Sequence, residues 1–182
     1  MSSTSVPQPG VDRMVPFPGH PLVVGVVEDQ DPLVVSTAVS LARALGVRAY
    51  FAFVDTSRFA VEEHEDGSVD HTALDPDSVD DRWEEVDANL RRHLTETLRG
   101  ETLDWEFRYL AGRPDRALTH LARAVDASAI VVGTRAPGGG RHMREILEGS
   151  VAAHLAHHQH RAVVTVPLAV VDWKELRAPW EH

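Results

Sequence analysis

Residues 129 to 151 read AIVVGTRAPGGGRHMREILEGSV, and the fold turns on them. Ala129 to Val132 is an unbroken apolar run, too uniform for a strand with one wet face, so it predicts a strand buried on both faces of a parallel sheet. Glycine then takes over. Gly133 ends the strand, Gly138, Gly139 and Gly140 keep the loop free of Cβ atoms, and Gly149-Ser150 opens a helical pattern from Val151 to about His158. A strand, a glycine-rich loop and a helix N-terminus let backbone N–H groups reach an anion with the helix dipole behind them. Two readings stay open here, a loop that holds phosphate and a loop that only turns the chain. Neither G-x-x-x-x-G-K-[ST] nor a G-x-G-x-x-G after a first strand is present.

Outward from this stretch, strands and helices alternate. Leu22 to Val27 (LVVGVV) is a second buried-type strand, followed by Glu28, Asp29 and the helix start Asp31-Pro32, an N-cap acid before a proline in the first turn. Leu33, Thr37, Leu41 and Ala44/Leu45 recur at helical spacing until Gly46. Arg48 to Val54 (RAYFAFV) is again strand-like, and Asp55 to Pro76 reads as an irregular, acidic, mobile connection. From Asp77, the residues Val79, Trp83, Val86, Leu90, Leu94 and Thr97/Leu98 form one helical stripe, with Ser78 and Asp81 resembling a capping box and Gly100 ending the helix. Leu103, Trp105, Phe107 and Tyr109 alternate with charged residues, as in a strand at a sheet edge. Gly112-Arg113-Pro114 leads into a helix with Ala117, Leu118, Leu121, Ala122 and Val125 inward. After the glycine loop and last helix, Ala162 to Val166 is the final strand, closed by Pro167. This order implies one doubly wound α/β unit with a parallel sheet and helices on both faces.

Composition excludes several functions. The chain has 182 residues, a formal charge of −10 and no cysteine. The acidic balance disfavours a DNA- or RNA-contacting surface. Zero cysteines exclude a disulfide framework and a thiolate metal site and fit a reducing compartment. No apolar run approaches membrane-spanning length, so a cytoplasmic protein is expected. Residues 1–21, rich in proline, are expected as a flexible tail, 22–167 as the folded domain, and 168–182 as a C-terminal extension. Trp83 and Trp105 read as core anchors. His154, His157 and His158 sit three or four apart on the last helix and could share a metal, but solvated helix surface is the favoured reading. No nucleophile elbow and no H-E-x-x-H appears.

From Leu22 to Pro167 the chain resembles the universal stress protein family. The matching segments are LVVGVVEDQD, FVD, GRPDRALTHLARAVDASAIVVGTR and GGGRHMREILEGSVAAHLAHHQHRAVVTVP. Nucleotide-binding members carry G-x2-G-x9-G-[ST]. Gly139, nine residues, Gly149 and Ser150 reproduce its second half, whereas Gly133 is followed at the expected spacing by Ala136, as if by a short insertion. The resemblance implies a Rossmann-like three-layer sandwich whose five-stranded parallel sheet runs 3-2-1-4-5. It also implies an adenine nucleotide, ATP or AMP, with magnesium as a companion, bound where the winding reverses. Glu28 then lies near the adenine, where an Asp is typical, and the Val54 backbone contacts the base. Val132, Gly133, Gly139, Gly149, Ser150 and Val151 match positions near ribose and phosphates, with Arg141 and Arg144 as further positive charge. A homodimer paired through the last strand is implied, in a non-catalytic stress-response module. Two alternatives remain, the same fold with a degenerate pocket acting through protein contacts, and a slow ATPase.

Overall fold

The computed structural model describes residues 10–29, 31–75, 82–134 and 151–168. Five strands, β1 (Leu22–Val26), β2 (Ala49–Asp55), β5 (Trp105–Ala111), β6 (Ala129–Gly133) and β7 (Ala162–Val166), form one parallel sheet in the order β5-β2-β1-β6-β7. Counted within the sheet alone this is 3-2-1-4-5, as expected. The chain winds outward from β1 through α1 (Pro32–Leu45) and α2 (Trp83–Thr97). It then crosses back over β1 through α3 (Pro114–Ala124) and adds β7 after α4 (Val151–His158).

Period-two alternation divides the sheet residues between two cores. Leu22, Val24 and Val26 of β1, Phe51 of β2, Phe107 and Tyr109 of β5 and Val131 of β6 face α1 and α2. Val23, Ala52, Leu110, Ile130 and Val132 face α3 and α4. Because helices cover both faces, the central strands are apolar at every position, which is why β1 and β6 read as unbroken runs. The β5 strand lies at the sheet edge as its alternation predicts, and Trp83 and Trp105 pack against the α1/α2 core.

Helix α1 begins as read, with the Asp31 side chain accepting from the Leu33 N–H at 2.8 Å, and ends at Gly46 in the left-handed region. Its buried face, however, is Val34, Val35, Ala38, Val39 and Ala42, not the expected stripe, and Leu33 is exposed. Where apolar residues lie on more than one side of a helix, as Leu33, Val34, Val35 and Ala38 do here, spacing alone does not fix the rotation about the axis. Helix α2 is present from Trp83, whereas its expected beginning, with Ser78, Val79 and Asp81, lies outside the described residues.

The acidic connection after β2 is corrected by the structure. It contains an antiparallel hairpin, β3 (Arg58–Glu63) and β4 (Val69–Ala73), with a register shift between Ala60 and Glu62. The Asp66 carboxylate accepts from the N–H and hydroxyl of Ser68 and shapes the turn, where Gly67 has φ +80°. A Cβ on Gly67 would also lie 2.6 Å from a Leu121 methyl, so only glycine fits. The Asp66-Gly67 pair was a turn signal in the sequence, masked by the carboxylates on both sides.

Residues 10–21 carry a 3₁₀ turn at Val11–Arg13 and join the body at their end. The His20 ring bonds the Asp126 carbonyl at 3.1 Å, and the Ser128 N–H donates to the Pro21 carbonyl at 2.9 Å.

Candidate functional site

The register of the strands opens a crevice at the carboxyl edge of the sheet. Strands β1 and β2 stay paired to Val26 and Phe53, and β6 and β7 stay paired to Gly133 and Val166. Between β1 and β6 the pairing stops at Val24 and Val131. Beyond that point the two strands part, at the place where the winding reverses, and doubly wound sheets take their ligands there. Gly25 stands at the base of the opening, where a Cβ would lie 3.2 Å from both a Leu118 methyl and a Val132 methyl.

Each sequence-predicted residue within the described chain reaches this edge. Glu28 follows β1 and is exposed, beside Asp29, which has φ +53°. Neither carboxylate has an ion-pair partner among the described residues. Val54 lies one residue before the end of β2, half-buried on the α3 side. Val132 and Gly133 end β6, and Val151 begins α4, which returns the chain to β7 and so starts at the same edge. Gly139, Gly149, Ser150, Pro137, Arg141 and Arg144 lie outside the described residues. Gly133 is confined, since a Cβ there would lie 2.9 Å from a Val34 methyl and 3.0 Å from a Leu168 methyl. Thr134 closes the β6 end, its N–H donating to the Val166 carbonyl and its hydroxyl accepting from the Leu168 N–H, both at 2.7 Å.

Two polar groupings at this edge escaped the sequence reading. On the β2 side the Tyr109 hydroxyl donates to Asp55 at 2.6 Å, and Asp55 also accepts from the N–H and hydroxyl of Ser57. Burial, then the hydrogen bond and charge of Asp55, push the Tyr109 hydroxyl far above its ordinary value, so it is a permanent donor. Glu28 adds to that shift, which places its charge close to Tyr109. The hairpin docks here. Arg58 is buried, its Nε donates to His71 Nδ1 at 2.7 Å, and its guanidinium lies 5.4 Å from the Trp83 ring centre. The His71 ring meets Trp83 edge-on at 5.0 Å, and Tyr109 completes the cluster.

On the α4 side, Asp115 in the first turn of α3 is buried. It accepts from Arg113 Nη2 at 2.8 Å and Nε at 3.1 Å, and His154 Nδ1 lies 3.5 Å away. Burial alone would raise the Asp115 carboxyl, but the bonds and charge of Arg113, helped by His154, bring it below the ordinary carboxylate value. His154 is therefore not simply solvated helix surface. It ties the first turn of α4 to α3, and its carboxylate partner comes from a distant stretch of chain. Among the described residues no group of three or more His, Asp or Glu side chains is arranged for a metal ion. A shallow cavity of about 500 Å³ runs along α1 from Val35 to Ala44 against the end of α2 and is lined by the Arg43–Glu101 pair. No helix among the described residues is long and apolar enough to cross a membrane.

A five-stranded doubly wound sheet with a glycine-bordered crevice at its reversal point defines a Rossmann-like α/β protein. The model of the "Universal stress protein family" matches residues 20–167. The chain belongs to the universal stress protein family. Among solved structures it is similar to a universal stress protein from Archaeoglobus fulgidus, with 22% identity over 82% of this chain and 94% of that one and a TM-score of 0.56. It is also similar to the A. fulgidus universal stress protein in complex with dAMP (22% identity, 81% and 97% covered, TM-score 0.55). A universal stress protein in complex with cAMP gives 24% identity, with 82% and 98% covered and a TM-score of 0.53. At these identities the likeness shows the fold. No match was found among curated proteins.

Proposed function

We propose that this protein binds an adenine nucleotide, ATP or AMP, in the crevice between β1 and β6 and acts as a non-catalytic stress-response module. The observation that carries the reading is the parting of β1 from β6 beyond Val24 and Val131, at the edge where α4 starts. Such a gap leaves strand-end N–H and C=O groups free to meet a base and ribose, while the dipole of α4 favours phosphate above them. Two structurally similar proteins hold dAMP and cAMP, which supports the same ligand class here. In this reading the Val54 backbone meets the base and Glu28 accepts a hydrogen bond from it or from the ribose. Val132, Gly133 and Gly139 border the ribose, and Gly149, Ser150 and Val151 present donors to the phosphates. Magnesium travels with the triphosphate, since no described set of carboxylates would hold it alone.

The chain works in the cytoplasm as a homodimer paired through β7, whose edge carries the apolar Val163 and Val164. Residues 22–167 form the functional domain, with 1–21 and 168–182 as appendages. Equilibrium binding of ATP and AMP, with and without magnesium, tests the ligand. Saturable binding by the wild type that is lost in Gly149→Val supports the reading, and absence of binding by the wild type removes it. ATP turnover lost on Ser150→Ala would replace the non-catalytic role with a slow ATPase. Sedimentation showing only monomer at micromolar concentration would remove the dimer.

A further inference from the structure

Helix α1 turns an uncharged stripe to solvent. Leu33, Ser36, Ser40 and Ala44 recur along it at spacings of three and four, the period of one helix side, and all four are exposed. Arg43 is the only charged residue of the helix, and its Nη1 is held by Glu101 at 2.9 Å. The neighbouring helix α2, packed on the same core, is built differently, with Glu84, Glu85, Arg91, Arg92 and Glu96 all in water. A charged outer face is what solvent asks of a surface helix. The stripe on α1, with Leu33 48% exposed, is instead the kind of surface that another segment covers.

Beside this stripe runs the cavity of about 500 Å³, open to solvent, from Val35 to Ala44 against the end of α2. Its volume falls in the range of pockets that hold ligands, about 300–1,000 Å³. Val35, Val39 and Leu98 are its buried apolar floor, while Ser40, Thr97 and Glu101 put hydroxyl and carboxylate acceptors on its exposed rim. Such a groove suits an indole, which has an apolar body and one N–H that needs an acceptor when buried. The chain brings indoles close by. Leu168 packs on the α1/α2 core next to Gly133 and Val34, one residue before the lining of the cavity starts on α1. Residues 169–182, AVVDWKELRAPWEH, follow it and carry two of the four tryptophans, Trp173 and Trp180. Extended chain covers about 3.3 Å per residue, so the stretch from Leu168 to Trp173 spans up to roughly 16 Å. That exceeds the diameter of a helix, about 10–12 Å.

We propose that residues 169–182 cross the outer face of α1 and seat the Trp173 indole in the groove between α1 and α2 of the same chain. Ala169, Val170 and Val171 are uncharged, as is the track of Leu33 and Ser36 that they pass over, and they cover the exposed leucine. The indole lies on Val35, Val39 and Leu98, with its N–H donating to an acceptor on the rim. The occupant is this segment rather than a separate protein because a short tether holds it at millimolar effective concentration, where even a modest contact is filled.

NMR of the isotope-labelled full chain tests this through the tryptophan rings. Cross-relaxation is expected between the Trp173 ring and the methyl groups of Val35, Val39 and Leu98. Ser40→Arg, which fills the groove from an exposed position, abolishes those contacts. It also returns the Trp173 indole N–H to the shift and solvent exchange of an unstructured tryptophan, while Trp83 and Trp105 keep their signals. Thr97→Lys on the opposite rim acts in the same direction, so the test stands even if Ser40→Arg disturbs α1. In an equal mixture of labelled and unlabelled chains the contacts stay within one chain. Contacts that pass between chains assign the groove to a second copy and overturn the proposal. It is also overturned if the wild-type Trp173 ring touches none of the three methyl-bearing residues, or if its contacts survive both substitutions.

Discussion

The two ends of the β1–β6 pair differ in charge. Past the carboxyl end of β1 stand Glu28, Asp29 and Asp31, whereas before β6 and β7 stand Arg123 and the buried Arg161, which shares Asp126 with His20. Helix dipoles explain part of this, because in an α/β unit helix N-termini gather at the carboxyl edge and helix C-termini at the amino edge, and each attracts the opposite charge. Strand geometry explains the rest. The carboxyl edge is split between β1 and β6, whereas at the amino edge β1 and β6 are in register from their first residues, Leu22 and Ala129. An edge that is split offers backbone groups to a ligand, while a closed edge can offer only side chains.

Glycine substitutions at the two edges should differ most. Gly133→Val forces a branched side chain against Val34 and Leu168 and should cost about 1–3 kcal/mol in urea denaturation, together with the loss of nucleotide binding. Gly46→Ala at the amino edge meets no atom within 4 Å and suffers only from its left-handed backbone. It should cost about 1 kcal/mol and leave nucleotide binding unchanged. Equal loss of binding in both variants would erase the contrast.

Next in size is Asp115, which links α3 to α4. Asp115→Asn should destabilise the protein by about 1–3 kcal/mol at neutral pH, with an additional loosening of nucleotide binding if α4 is positioned as described. The folded-state pKa of Asp115 is depressed, so its contribution is complete above its unfolded value of about 4 and fades as pH falls through the folded value. Thermal melts from pH 7 down to pH 3 should show wild type and Asp115→Asn converging at the acid end, and a constant gap between them would contradict the pairing. The smallest effect is expected for Tyr109→Phe, which removes one donor to Asp55 and should cost about 0.5–1.5 kcal/mol with no change at the amino edge.

What the sequence could and could not reveal follows from the range of each interaction. Period-two and period-3.6 patterns, Asp31-Pro32 and Gly46 are local, and they gave the sheet strands, the helices and their alternation along the chain, whereas the order 3-2-1-4-5 was implied by the family resemblance. The rotation of α1 was lost because an apolar helix between a sheet and solvent carries little contrast between its faces. The hairpin β3–β4 was hidden because its inward positions hold the polar Arg58 and His71 while Phe59 and Val61 face outward. Glu28, Val54, Val132, Gly133 and Val151 were named through the family resemblance, and strand ends and a helix start bring them to the carboxyl edge. The Asp115–His154 and Asp55–Tyr109 contacts were not, since each joins residues far apart in the chain that only the fold brings together. The same holds for the parting of β1 from β6, which is a property of twist and register rather than of any residue pattern.

The most direct test of the nucleotide crevice is an AMP titration of the isotope-labelled full chain, read residue by residue in amide NMR spectra. Saturating shifts should appear at Val26 to Asp29, at Val132 to Thr134 and in the first turn of α4. Saturation with no movement along β1 and β6, or no saturation at all, would contradict a nucleotide held where these two strands part.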